Sequence, residues 1–187
     1  MLKELLDQPY LQIELAYATT QNFMQRKIYE NAKCYLHDIA YKRFMHAFDL
    51  VKAMGYGFKV FDAFRPVEAQ RELWKICPDP MYVADPERGS SHSRGIAIDL
   101  TLIDRKGTEL DMGTPFDDFT ASSHHRATNI SPEAQRNRFI LLGIMTSAGF
   151  DFYENEWWHY QLYDASRYPL LGDQEAPSPL MARSGSS

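Results

Sequence analysis

The stretch Ile96-Ala97-Ile98-Asp99-Leu100-Thr101-Leu102 constrains the fold more than any other part of this chain. Side chains alternate along a strand, so Ile96, Ile98, Leu100 and Leu102 form one unbroken apolar face. The opposite face carries the small residues Ala97 and Thr101 around a single carboxylate, Asp99, which leaves room for an ion. Such a strand needs an apolar layer against one side only. Asp104-Arg105-Lys106-Gly107 then supplies turn residues.

Around this strand, helical and extended patterns are mixed. Ile39, Phe44, Ala47, Phe48 and Val51 recur at helical spacing from about Asp38 to Met54, with Gly55 as a natural C-cap. Phe58-Lys59-Val60-Phe61-Asp62-Ala63 alternates as a strand, and Pro66 suits the first turn of a helix running to about Ile76. Ser131-Pro132-Glu133 opens a helix to about Ala148, with Ser131 as cap and Gly149 as stop. A last strand is expected near Trp157 to Leu162. Short connections favour antiparallel pairing, so the expected fold is α+β, a central antiparallel sheet flanked by helices. Residues 1–172 read as one domain, and residues 173–187, rich in Ser, Pro and Gly, as a flexible solvated tail.

Two compact clusters carry the chemistry. His92 precedes the Asp99 strand in Ser90-Ser91-His92-Ser93-Arg94-Gly95, and His159 closes Glu156-Trp157-Trp158-His159. Two imidazoles and one carboxylate can hold a divalent metal with a coordination position left open, the arrangement of catalytic rather than structural zinc. Glu156 is close enough in sequence to His159 to act on whatever fills that position. If Trp157 to Leu162 is a regular strand, Glu156 points away from His159, so the reading requires Glu156 at an irregular strand entrance. Taken singly, a carboxylate in a strand or a histidine in an aromatic run is more often structural, and sequence spacing alone does not bring Asp99 to Glu156. Arg65, at a strand end between Phe64 and Pro66, is by local sequence a surface ion pair. Facing a metal, it could instead stabilise an oxyanion. His37 and His46 read as structural. His124-His125 lies in a polar loop, where at most one ring could ligate and an outer role suits it better.

Bulk properties exclude other classes. At 187 residues, 44% hydrophobic and 24% charged, the chain can bury a core. A net charge of −5 argues against nucleic acid or an anionic membrane surface as partner. No run approaches the roughly 20 apolar residues of a membrane span, and Met1-Leu2-Lys3-Glu4-Leu5-Leu6-Asp7 shows no secretory h-region. Cys34 and Cys77 lack metal-ligand spacing and read as small buried hydrophobes in a reducing compartment, so a cytoplasmic location is expected.

With these residues in hand, the chain resembles the VanX-type D-alanyl-D-alanine dipeptidases, within the wider hedgehog/D-Ala-D-Ala metallopeptidase group. Ser90, His92, Gly95, Ala97 and Asp99 match Ser-x-His-x-x-Gly-x-Ala-x-Asp, and Glu156 and His159 match the closing Glu-x-x-His. Further similar segments are Ile13 to Ala18, Asp62-Ala63-Phe64-Arg65-Pro66, Asp111-Met112-Gly113-Thr114, Phe116-Asp117 and Ala134 to Arg138, so the likeness spans roughly residues 10 to 172. The resemblance implies a hedgehog/D-Ala-D-Ala peptidase-like fold and one zinc ion per chain on His92, Asp99 and His159. It further implies Glu156 as general base, Arg65 as transition-state stabiliser, and Tyr17, Ser90 and Asp117 as contacts to the charged ends of a small D,D-dipeptide. One departure is visible: Ser122-Ser123-His124 stands where these dipeptidases tend to have Arg-Ser-His. Competing readings are a D,D-carboxypeptidase or endopeptidase on cell-wall peptides, a non-catalytic zinc-binding module, and a non-haem iron oxygenase. The module requires neither Glu156 nor Arg65. The oxygenase lacks its usual close His-x-Asp pair.

Overall fold

The computed structural model describes residues 1–181. Ten principal elements follow in chain order: β1 (Leu2–Leu5), β2 (Leu11–Ile13), β3 (Cys34–His37), α1 (Asp38–Ala53), β4 (Gly57–Asp62), α2 (Val67–Ile76), β5 (Ala97–Ile103), α3 (Pro132–Ser147), β6 (Asp151–Phe152) and β7 (His159–Gln161). The fold is α+β. One sheet has the order β2-β4-β5-β7-β6, and β1 pairs with β3 in a separate antiparallel ribbon.

The helices begin and end where their chemistry directs. Ser131 Oγ accepts from Ala134 N at 3.0 Å and Pro132 follows at the first helical position. His37 Nδ1 does the same for α1, accepting from Ile39 N. Gly55 and Gly149, just past α1 and α3, take φ of 82° and 91°. Phe44 of α1 meets Phe58 of β4 with ring centroids 5.7 Å apart, seating the helix on the face that Phe58, Val60, Leu100 and Leu102 share. Each large side chain so buried contributes about 1.5–3 kcal/mol. All of β5 is buried, as befits the middle strand.

Three features differ from expectation. The pairs β4–β5, β5–β7 and β6–β7 are antiparallel, but β2 runs parallel to β4, because β3 and α1 intervene as the long crossover that parallel pairing requires. The last strand is shorter than expected: Trp157 N bonds Ser123 O and Glu156 N bonds Tyr153 O, so the chain enters β7 through a turn. The segment expected as a solvated tail from residue 173 is instead packed on the body as far as it is described. Asp173, Ala176 and Leu180 are buried, and the Asp173 carboxylate accepts from Leu180 N and Met181 N. Residues 182–187 of that expected tail lie outside the described residues. Among the described residues no helix is long and apolar enough to cross a membrane.

One irregularity shapes the site. Along β4–β5 the register pairs Val60 with Leu100 but Asp62 with Asp99, so Phe61 is an extra, bulged residue. The bulge turns Asp62, rather than Phe61, toward Asp99.

Candidate metal centre and active site

Asp99 and His159 face each other directly across β5–β7, so their side chains leave the sheet on the same side. His92 reaches them from a single 3-10 turn, His92–Arg94, that ends at Gly95 with φ 67°. A Cβ at Gly95 would stand 2.7 Å from Leu2 Cδ2 and 3.2 Å from His37 N, so only glycine closes this turn without displacing β1 and β3.

The three side chains converge. His92 Nε2 lies 3.2 Å from Asp99 Oδ2 and 3.1 Å from His159 Nδ1, and His159 Nδ1 lies 3.0 Å from Asp99 Oδ1. Tetrahedral donors on bonds of about 2.0–2.1 Å stand about 3.3 Å apart, so the spacing suits one small divalent ion. The far side of each ring fixes which nitrogen offers its lone pair. His92 Nδ1 donates to Ala63 O at 2.7 Å, and His159 Nε2 donates to Gln161 Oε1 at 3.0 Å. Two imidazole lone pairs and a carboxylate aimed at one point repel unless a cation or proton sits between them. Where no ion binds, a proton serves: burial disfavours charge on His159, but the hydrogen bond and charge of Asp99 push it up to about 9. Burial works to raise Asp99, yet the two imidazoles hold it below the usual carboxylate range. The donor set therefore fits a metal ion, and among the described residues it is the group of this kind.

Glu156 joins them through the turn ahead of β7, where His159 N bonds Glu156 O at 3.3 Å. That turn replaces the outward orientation a regular strand would impose, and places Glu156 Oε2 3.9 Å from His159 Nδ1. Burial pushes the Glu156 carboxyl up to about 7, against the lowering pull of His159. Arg65 is buried, not a surface residue. Its Nε donates to Asp62 Oδ2 at 2.8 Å, its Nη1 to Gln70 Oε1 at 3.0 Å, and its Nη2 lies 3.7 Å from Asp99 Oδ2. Its guanidinium also lies 4.9 Å from the centre of the Tyr17 ring.

These groups line a cavity of about 470 Å³ together with Tyr17, Ser90 and Asp117. Tyr17 Oη donates to Asp117 Oδ2 at 3.2 Å. Burial, reinforced by Asp99 and Glu156, raises the Asp117 carboxyl well above its usual range. Ser90 Oγ accepts from His92 N at 3.1 Å, which leaves its own hydrogen for a ligand. The cavity walls thus hold a half-buried acid and a seryl hydroxyl together with the donor cluster.

The D-Ala-D-Ala dipeptidase family model matches residues 4–176. The chain belongs to that family. It is 46% identical to the D-alanyl-D-alanine dipeptidase of Escherichia coli strain K12 over 166 residues, 89% of this chain and 86% of that protein. It is 35% identical to the D-alanyl-D-alanine dipeptidase of Enterococcus faecium over 79% of this chain and 84% of that protein. The structure of VanYB in complex with D-alanine-D-alanine aligns with a TM-score of 0.45 at 18% identity, over 72% of this chain and 75% of that one.

As a D-Ala-D-Ala dipeptidase family member, the chain also holds site residues that sequence reasoning missed. Gln161 shares a face with His159 two residues on, and period-two alternation was the available signal. Asp62 and Gln70 grip Arg65, but nothing local marks either as buried. His124 and His125 stand outside the donor cluster, each with a buried Nε2 lacking a partner among the described residues. Burial lowers His125 to about 4, and its ring packs against Phe152. Ser122 Oγ accepts from Asn129 Nδ2 at 2.8 Å. His46 is exposed, while Cys34 is buried and Cys77 half-buried, neither of them bonded to the other.

Proposed function

We propose that this protein hydrolyses D-Ala-D-Ala to two D-alanines, using one zinc ion held by His92, Asp99 and His159. The observation that carries this reading is the buried Glu156 carboxylate, 3.9 Å from a ligand nitrogen and facing the same cavity as the three donors. When bound there, zinc supplies Lewis acidity, which polarises a peptide carbonyl and acidifies water. Glu156 accepts the attacking water's proton at a carboxylate oxygen and delivers it to the leaving amine, help of a kind worth about 10²–10⁴-fold. Arg65 Nη2 shares the negative charge that develops on the carbonyl oxygen, a contact worth about 10²–10³ in rate.

The charged ends of the dipeptide choose its orientation. Asp117, half-buried in the cavity wall and oriented by Tyr17, receives the ammonium group, since a charge-assisted hydrogen bond is among the stronger ones. Ser90 donates to the carboxylate at the other end. The unbonded cysteines suit a reducing compartment, and we assign the protein to the cytoplasm.

The test is a zinc-supplemented assay of D-Ala-D-Ala and of a pentapeptide ending in D-Ala-D-Ala, with Glu156→Ala beside the natural protein. The expected result is cleavage of the free dipeptide alone, lost in the variant by at least about 10²-fold with zinc content unchanged. Cleavage of only the longer peptide would make the protein a carboxypeptidase. Full activity in the variant would remove Glu156 as base.

A further inference from the structure

We propose that residues 171–181 form a strap that positions the Arg65 guanidinium. This inference rests on reading Arg65 as a catalytic group. Arg65 is gripped through Nε by Asp62 and through Nη1 by Gln70, which leaves Nη2 toward Asp99 and the cavity. Each grip leads back to the strap.

On one side, Asp62 Oδ1 accepts from Tyr29 Oη at 3.0 Å. The segment carrying Tyr29 is anchored by its backbone at both ends. Ile28 N and Tyr29 N both donate to Tyr17 O, at 2.8 and 2.9 Å, and Glu30 N and Asn31 N both donate to Leu180 O, at 2.8 and 3.1 Å. The Asn31 side chain adds a bond to Ser178 Oγ at 2.7 Å. On the other side, Gln70 stands on α2, whose first turn meets the strap twice. Val67 N donates to Leu171 O at 3.1 Å, and Asp173 N donates to Glu68 Oε2 at 2.9 Å.

Asp173 holds the strap in this path. Its Oδ1 accepts from Leu180 N at 2.7 Å and from Met181 N at 3.2 Å, closing a loop that buries Leu180 completely. A segment that only followed the surface would not commit a buried carboxylate to its own backbone. The strap ties Asp62 and Gln70 into one frame, so loosening it shifts the guanidinium relative to the reacting atoms. A misplacement of about 1 Å costs as much as 10²-fold in rate.

The experiment measures kcat and KM for D-Ala-D-Ala and zinc content in the full-length, zinc-loaded protein. The variants are Asp173→Ala, Asp173→Asn and Tyr29→Phe, each alone and combined with Arg65→Ala. Asp173→Ala and Tyr29→Phe are expected to lower kcat about tenfold, with KM and zinc content within about twofold of the natural protein. Asp173→Asn, which keeps an acceptor for Leu180 N, is expected to recover most of the loss. In the Arg65→Ala background, neither Asp173→Ala nor Tyr29→Phe is expected to lower kcat further, since the group they place is gone. Tyr29→Phe removes one hydroxyl without opening the core, and reads out alone if Asp173→Ala does not fold. Losses that multiply with Arg65→Ala, losses matched by loss of zinc, or natural kcat in both Asp173→Ala and Tyr29→Phe would each overturn the strap. If Arg65→Ala keeps natural kcat, the reading of Arg65 fails and the strap falls with it. If Arg65→Ala is impaired while Asp173→Ala and Tyr29→Phe are not, the strap alone fails.

Discussion

Gln161 Oε1 stands 3.0 Å from His159 Nε2, on the same face of β7 as the histidine it orients. By accepting the Nε2 proton it commits Nδ1 to the side where Asp99 and His92 converge. Such outer partners are worth about 10–100-fold in metal affinity. Gln161→Leu is therefore expected to weaken zinc binding by about that factor, and Gln161→Glu to strengthen it. Competition against a chromophoric chelator checks both, and equal affinity in the two variants would leave the tautomer to Ser91, whose Oγ lies 3.5 Å from Nε2.

The pH response of the metal-free protein follows from two raised groups. Glu156 is pushed by burial from 4.5 to about 7, and His159, raised by Asp99 against burial, from 6.5 to about 9. In both cases the folded protein keeps a proton that the unfolded chain has released, so folding takes up protons and stability falls as pH rises. The Glu156 penalty accumulates between pH 4.5 and about 7, and the His159 contribution, complete below pH 6.5, is lost by about 9. Zinc on the proposed ligands would displace the His159 proton and, by its charge, favour loss of the Glu156 proton, so its stabilising effect is expected to grow over the same range. Thermal unfolding of zinc-loaded and chelator-treated protein from pH 6 to 9 checks this. A gap in Tm that narrows with rising pH would contradict the assignment.

Asp117 and the substrate ammonium make a further prediction. A hydrogen bond to a charged partner is worth about 1.5–3 kcal/mol, so Asp117→Asn is expected to raise KM for D-Ala-D-Ala about 10–100-fold. An N-acetylated dipeptide has no ammonium and should be a poor substrate for both proteins. Equal KM in the variant would move the ammonium site elsewhere.

Arg138 gives a test of stability separate from chemistry. Its Nε donates to Met112 O at 2.7 Å and its Nη1 to His124 O at 3.0 Å, inside the loop packed against Trp157. Burial lowers this guanidinium to about 10. Arg138→Leu leaves Met112 O without that donor, and an orphaned buried carbonyl costs about 1–3 kcal/mol. Urea unfolding measures the loss, with zinc content expected to stay at one per chain.

The parts of this architecture that were legible in the sequence are those set by local rules. The alternation around Asp99, the Ser131 cap and the glycines after α1 and α3 depend on a few adjacent residues, and each stands where its pattern placed it. Arg65 was harder because its burial depends on Asp62 and Gln70, one delivered by a bulge and the other by a helix. Glu156 faces His159 because bonds to distant segments, such as Trp157 N to Ser123 O, form the turn before β7. The strap escaped notice for the opposite reason: Ser, Pro and Gly describe a chain that need not fold alone, and say nothing of a surface that captures it.

The bulge at Phe61 has a consequence for how this fold can diversify. A lineage that deleted Asp62 from β4 would restore even pairing and set Phe61 opposite Asp99. The three proposed ligands come from other positions and would survive, while Arg65 would lose the Asp62 carboxylate that grips its Nε. On the proposed roles, a single codon deletion would separate a chain that cuts from one that merely holds an ion, which puts inert cousins of such enzymes a short evolutionary step away.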